Sequence, residues 1–416
     1  MMHKKSSSAP LHICATLALL LVCAASLPAQ ISALYTFTGK PDGSKPEGRL
    51  IVDSAGNFYG TTSSGGAYNR GSIYELPAGG GETVLYSFTG GADGESPMGN
   101  LLIDKDGNLF GTTTGGGNPT NCFTHLGCGT IFKLTAKGTL VTLYKFTGQS
   151  DGALPMAGLI RDADGTFYGT AAIGGTVDGV CLKGGSDPGC GVVFKFKLPN
   201  THTVLHTFTG APDGLQPLAP LTRDSAGNLY GTTIQGGNYT SDNACSHLGC
   251  GVVFKIDTDG NETVLHAFGI GTDGSWPQYG QLTLDSSGNI YGVTSIGGSA
   301  GYGTVFALDP AGNETVLYNF IGQAEGGIPL GGLARDVRGN LYGTTESFGR
   351  FGGPCGSDGC GVVFKLTPAG QEIVLGRFNF QDGSAPFADL ILYKQQLYGA
   401  TSIGPKNSGV VFRIKP

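Results

Sequence analysis

One unit recurs seven times between Leu34 and Phe412: a segment such as LYSFTG, then LLIDKDGNLFGTT, then GTIFKL. The phenylalanine of the first segment falls at Phe37, Phe88, Phe146, Phe208, Phe268, Phe320 and Phe378, which sets a period of 51 to 62 residues. A period near 50 restricts the chain to a solenoid, a propeller or an array. Short apolar runs alternate with Gly, Asp, Asn and Pro clusters, 74 of the 416 residues are Gly, and no long stretch carries a 3.6-residue apolar period. The chain therefore reads as all-β.

Each unit resolves into four strand-like runs, in the second unit 101–104, 108–113, 129–134 and 140–146, designated a, b, c and d. A D-x-x-G-N turn links a to b (Asp53 to Asn57, Asp224 to Asn228, Asp285 to Asn289, Asp336 to Asn340), and turns such as PAGNE (Pro310 to Glu314) link c to d. Gly supplies positive φ in such turns, and Asp or Asn bonds the nearby backbone. Four antiparallel strands per unit describe a seven-bladed β-propeller better than a β-helix, whose repeats are shorter and parallel. The repeat region opens with a d strand (34–38) and closes with a c strand (410–414). The N-terminal strand is thus expected to pair with the C-terminal blade and close the ring, removing exposed edges.

Residues 1–30 differ in kind. Lys4 and Lys5 precede an apolar run from Leu11 to Ala25, followed by small residues to Gln30. This is the pattern of a cleaved secretory signal peptide, too short for a spanning helix. The expected organisation is a signal peptide at 1–30 and a propeller at 31–416, in a secreted or periplasmic protein without a membrane span after cleavage. The net charge of −6 becomes −8 once Lys4 and Lys5 are removed, which gives no basis for nucleic-acid binding.

Alternation of strand direction puts the a to b and c to d turns on one face and the b to c and d to a loops on the other. The second face collects the length variation, and variable loops on a rigid scaffold are where binding sites usually sit. Eight cysteines fall in its b to c loops: Cys122 and Cys128, Cys181 and Cys190, Cys245 and Cys250, Cys355 and Cys360. In an exported protein these read as four intra-loop disulfides. The competing reading is zinc, because His125 and His247 lie between two of the pairs, but three ligands within seven residues make a strained site.

The d to a loops carry an acidic residue at Asp42, Asp93, Asp151, Asp213, Asp273, Glu325 and Asp382, expected to form a ring. One reading is that each closes its own turn. The other is a cation or polyol site at the channel mouth, where calcium would be structural and no other cofactor is called for. The only tryptophan, Trp276, lies in one of these loops and offers a surface for stacking on a sugar. His206 and His266 replace the tyrosine of strand d and read as packing variants. The aromatic residue before the glycine of strand b (Tyr59, Phe110, Tyr168, Tyr230, Tyr291, Tyr342, Tyr398) is expected to fill blade interfaces, with the glycine admitting a neighbouring backbone. No catalytic residue is assigned. The G-x-S-x-G match at 297–301 would lie in a hairpin loop rather than between a strand and a helix, and HExxH, P-loop and EF-hand patterns do not occur.

The segments NLYGTTIQGG (228–237), GYGTVFALDPAGNETVLYNF (301–320) and GVVFKLTPAG (361–370) resemble the GloVer (gloeo/verruco) tandem repeat of exported bacterial proteins, over essentially all of 31–416. Many members of that family carry one of several C-terminal surface anchors. The resemblance implies export and no particular activity. The expected function is a monomeric, non-catalytic binding or scaffold module for a polysaccharide or protein ligand. The rivals are a carbohydrate-active hydrolase or lyase using the loop carboxylates, and a structural envelope or matrix protein.

Overall fold

The computed structural model describes residues 30–118, 122, 127–175, 181, 189–237, 245, 248–269 and 271–416. Residues 1–29 of the expected signal peptide, His125 and His247 lie outside them.

Six four-stranded antiparallel sheets and one closing sheet form seven blades, each in the order a, b, c, d. The first blade consists of Ile51–Val52, Phe58–Thr62, Ser72–Leu76 and Thr83–Ser87. Strand a is shorter than its apolar run, two residues in most blades, because its flanks turn into the channel and the D-x-x-G-N hairpin. In that hairpin Asp53 Oδ1 accepts the amides of Ala55, Gly56 and Asn57, and Asn57 Nδ2 donates to Oδ2 at 2.9 Å. Burial opposes ionisation of this Asp, but the bonds from Asn57, Tyr59 and Gly56 outweigh it and hold the carboxyl below its ordinary value.

The ring closes as the sequence predicts. Ser32–Thr36 pairs antiparallel with Val410–Ile414, which continues through Gln396–Ile403 to the inner strand Ile391–Tyr393. Among the described residues no helix is long and apolar enough to cross a membrane.

The core is distributed among blade interfaces. Between the first and second blades, Ile73 and Phe88 pack against Leu101, Leu109, Phe132 and Leu134 of the next sheet. Phe88 meets Phe132 edge-on at 5.3 Å, and the same d to c ring contact recurs for Phe146 with Phe194, Phe208 with Phe254, Phe268 with Phe306 and Phe320 with Phe364. The aromatic residue of strand b fills the blade interfaces as expected: Phe110 meets Phe167 of the next blade at 4.9 Å between ring centres, and Tyr59, Tyr168, Tyr230, Tyr291, Tyr342 and Tyr398 pack into the clusters shared with the following blade. The hydroxyls of Tyr168, Tyr230, Tyr291 and Tyr342 also donate to the a to b turn Asp, at 2.9 to 3.0 Å. The following glycine makes room for a ring of its own blade, not a neighbouring backbone. A Cβ on Gly231 would stand 2.5 Å from Phe254, the residue opposite it on strand c.

A second link between blades rests on backbone conformation. The residue before the proline of each d to a loop (Lys45, Ser96, Leu154, Gln216, Trp276, Ile328, Ala385) has φ between 52° and 60°. For a β-branched residue such as Ile328 this is a true outlier. In six of the seven its amide donates to the preceding b to c loop, as Leu154 does to Cys128 and Gln216 to Cys190. The sequence gives no warning of it, since none of the seven is glycine.

Candidate functional site

The loop-bearing face holds the four cysteine pairs, each disulfide-bonded, with Cα atoms 5.0 to 5.2 Å apart. The bonds overturn the zinc reading of these loops, because an oxidised pair offers no thiolate. They also point to an oxidising environment, extracellular or periplasmic.

The seven acidic loop residues hold their own turns. Asp42 accepts the amide and hydroxyl of Thr38 and, at 2.7 Å, the hydroxyl of Tyr35. Asp93 is bonded in the same way by Thr89 and Tyr86, and Asp151 by Thr147 and Tyr144. Asp213 and Asp273 face His206 and His266, Glu325 accepts from Tyr318, and Asp382 accepts the Asn379 amide. These carboxylates belong to the outer strand and its exit loop, and none lines the pocket at the channel mouth. Trp276 is absent from that pocket too. It is half-buried, and its Nε1 is buried without a hydrogen-bond partner.

The channel mouth is built from a different position of the repeat, the segment entering strand a. Just before the buried leucines Leu50, Leu101, Leu159, Leu221, Leu282, Leu333 and Leu390 stand Arg49, Asn100, Gly158, Pro220, Gln281, Gly332 and Asp389. Three of them form a strut across the channel. Arg49 Nη1 donates to Gln281 Oε1 at 3.1 Å, and the Arg49 amide donates to Asn100 Oδ1 at 2.8 Å. Gln281 Nε2 donates to the Leu221 carbonyl at 2.8 Å, and the Gly332 amide to Asp389 Oδ1 at 2.5 Å. Arg49 Nε is buried without a partner. Burial raises the Asp389 carboxyl, opposed by Arg49 and by the amides of Gly332 and Gln281.

Above the strut, on the loop-bearing side, a shallow depression with a cavity volume of only about 30 Å³ is lined by Glu47, Met98, Met156, Leu218, Tyr279 and Phe387. Tyr279 and Phe387 meet at 4.7 Å between ring centres. Burial raises the Glu47 carboxyl against the opposing effects of Ser63 and Lys45, and burial, Glu47 and Glu346 raise the Tyr279 hydroxyl. The pocket thus combines an apolar wall and an aromatic pair with a floor of guanidinium, amide and carboxylate. Such a mixture binds a ligand that has both an apolar face and a polar edge. Reading the sequence missed these residues because the position does not repeat. That lack of repetition beside a repeating leucine is the signal that would have found it.

The sequence profile of the Gloeobacter/Verrucomicrobia repeat matches residues 24–182, 173–353 and 239–416. No curated protein matches the sequence. Among solved structures the chain is similar to virginiamycin B lyase from Staphylococcus aureus, at 14% identity and a TM-score of 0.55, covering 93% of this chain and 99% of that one. It is also similar to the extracellular domain of a one-component system from B. thetaiotaomicron, at 11% identity and a TM-score of 0.52, covering 93% of this chain and 41% of that one. At these identities the likeness concerns the propeller fold alone.

Proposed function

The chain belongs to the Gloeobacter/Verrucomicrobia repeat family, and from that premise we propose that it is a secreted, non-catalytic binding module whose loop-bearing channel mouth is a contact surface for a carbohydrate, touched at its edge rather than enclosed. The observation that carries this reading is the aromatic pair Tyr279 and Phe387 set beside the polar groups of Arg49, Asn100 and Asp389. Sugars present an apolar face to aromatic rings and hydroxyls to charged and amide groups, which is the chemistry displayed here. Arg49 Nε supplies a buried donor for such a hydroxyl. The loop carboxylates are committed to their own turns, which counts against hydrolysis through them.

The test is native gel retardation of the purified protein through gels containing plant and microbial polysaccharides. Retardation by a polymer is expected, lost in Tyr279→Ala and retained in Asp93→Asn. Migration unchanged in every polymer would defeat the carbohydrate reading. Release of new reducing ends or unsaturated products from the retarding polymer would defeat the non-catalytic one.

A further inference from the structure

Four blades carry a tyrosine on strand d two residues before its buried phenylalanine: Tyr35, Tyr86, Tyr144 and Tyr318. Each phenol donates to the acidic residue seven positions on, at 2.7 to 3.0 Å. Two adjacent blades carry His206 and His266 at that position instead. Imidazole keeps the contact to Asp and adds a nitrogen lone pair that binds metal ions, which a neutral phenol does poorly.

In both blades a third group arrives from the start of strand d of the next blade: Glu262 beside His206 and Asp213, Glu314 beside His266 and Asp273. His206 Nε2 lies 3.2 Å from both oxygens of Asp213, and His266 Nε2 lies 3.1 Å from Asp273 Oδ1. One ligand atom from each of the three residues lies within 4.8 Å of the other two. Two ligands of one tetrahedral zinc ion, at about 2.0 to 2.2 Å from the metal, stand roughly 3.3 to 3.5 Å apart. The His to Asp spacing is already close to this, and the glutamate needs only a small approach.

The charge and hydrogen bonding of the clusters point the same way. Glu262 Oε1 and Glu314 Oε1 are buried and lack a hydrogen-bond partner. Among the described residues no Lys or Arg pairs with the four carboxylates, whose ion-pair partners are the two histidines alone. Two carboxylates brought together without a cation require a shared proton or a metal ion. The amides of Thr209 and Gly269 donate to Oδ2 of Asp213 and Asp273 at 3.0 and 2.6 Å. They orient each carboxylate from behind, as outer-shell donors do at metal centres.

We propose that His206, Asp213 and Glu262, and separately His266, Asp273 and Glu314, form two sites for a divalent ion of the zinc class, each joining consecutive blades. The imidazole favours zinc and its transition-metal neighbours over calcium, which takes oxygen ligands in larger number. Three protein ligands leave the fourth tetrahedral position to water. The repeat supplies its own control in Tyr35, Asp42 and Glu82, where the same two carboxyl groups surround a phenol.

The purified protein, stripped with EDTA and dialysed, is titrated with zinc chloride against a chromophoric chelator. Two equivalents are expected, one in His206→Tyr or His266→Tyr, and none in the double variant. Tyrosine is the residue that four other blades use here, so the fold should survive, as circular dichroism would show. A second variant, Glu262→Gln with Glu314→Gln, should weaken zinc at least tenfold without changing the shape of the protein. Zinc should raise the melting temperature of the parent and leave that of the double tyrosine variant unchanged. Failure of the stripped parent to take zinc from the chelator, or two equivalents persisting in the double tyrosine variant, would overturn the proposal.

Discussion

The amide of Trp276 donates to the carbonyl of Cys250 at 2.9 Å, so the disulfide joining Cys250 to Cys245 also fixes the point at which the next blade is latched. Leu154 on Cys128, Gln216 on Cys190 and Ala385 on Cys360 repeat the arrangement. Removing one bridge should therefore loosen a blade junction as well as a loop. For Cys245→Ser with Cys250→Ser the expected loss is about 2 kcal/mol, from the closure entropy of so short a loop. Denaturant unfolding measures it, and an unchanged midpoint would mean that the latch holds without the bond.

Strand b tolerates no side chain under the strand c ring. In Gly231→Ala the new Cβ meets Phe254 at 2.5 Å, and that ring is fully buried. Overpacking of this kind costs about 1 to 3 kcal/mol. Part of the loss should return in the double variant with Phe254→Leu, whose smaller side chain vacates the ring edge. Strict additivity of the two changes in thermal unfolding would show that the clash is relieved elsewhere.

Asp93 holds the exit of strand d through Tyr86, the Thr89 amide and the Thr89 hydroxyl, the phenol at 3.0 Å. Asp93→Asn should cost about 1 to 3 kcal/mol of stability, because charge-assisted bonds weaken and one amide hydrogen faces donors. Ligand retention should be unaffected. Lost retention at full stability would return the acidic ring to the binding site.

Much of this architecture was legible in the sequence because it rests on periodic, local chemistry. The D-x-x-G-N turns, the four apolar runs and the cysteine pairs each specify structure within a few residues, and the leftover d and c strands at the two ends require closure. The strut of Arg49, Asn100 and Gln281 was hidden because its members are more than 50 residues apart and share only a place in the repeat. The latch was hidden for a different reason. Its positive φ is imposed by tertiary hydrogen bonds on ordinary residues such as Lys45 and Ile328, and no local preference announces it. His206 and His266 looked like packing variants because the glutamates that complete their clusters come from the neighbouring blade.

Glu82 and Glu372 give the protein a pH dependence opposite to that of ordinary surface carboxylates. Burial, reinforced by Asp42 for Glu82 and by Glu325 for Glu372, pushes each up to about 7. Between the ordinary carboxyl value of 4.5 and about 7 the folded protein binds more protons than the unfolded chain, so stability falls as pH rises through this window and levels off above it. Melting temperatures at pH 5 and pH 8 should differ less in Glu82→Gln with Glu372→Gln than in the parent, with the gain at pH 8. An identical pH dependence in both proteins would remove these two groups from the account.

Arg49 is the cation that the buried carboxyl of Asp389 faces in the channel. Removing that charge leaves a fully buried carboxyl held by backbone donors alone, at a cost of about 1 to 3 kcal/mol. Arg49→Met should therefore be destabilising, and less so as the pH falls, because burial already favours the protonated form of this carboxyl. Asp389→Asn added to Arg49→Met should recover most of the loss, since a neutral amide needs no cation and Oδ1 can still accept the Gly332 amide. The repeat itself already uses amides at this layer, Asn100 and Gln281. A double-mutant cycle in denaturant measures the coupling. Simple additivity would show that Arg49 is held by Gln281 and Asn100 alone, and that Asp389 is stabilised by backbone donors without it.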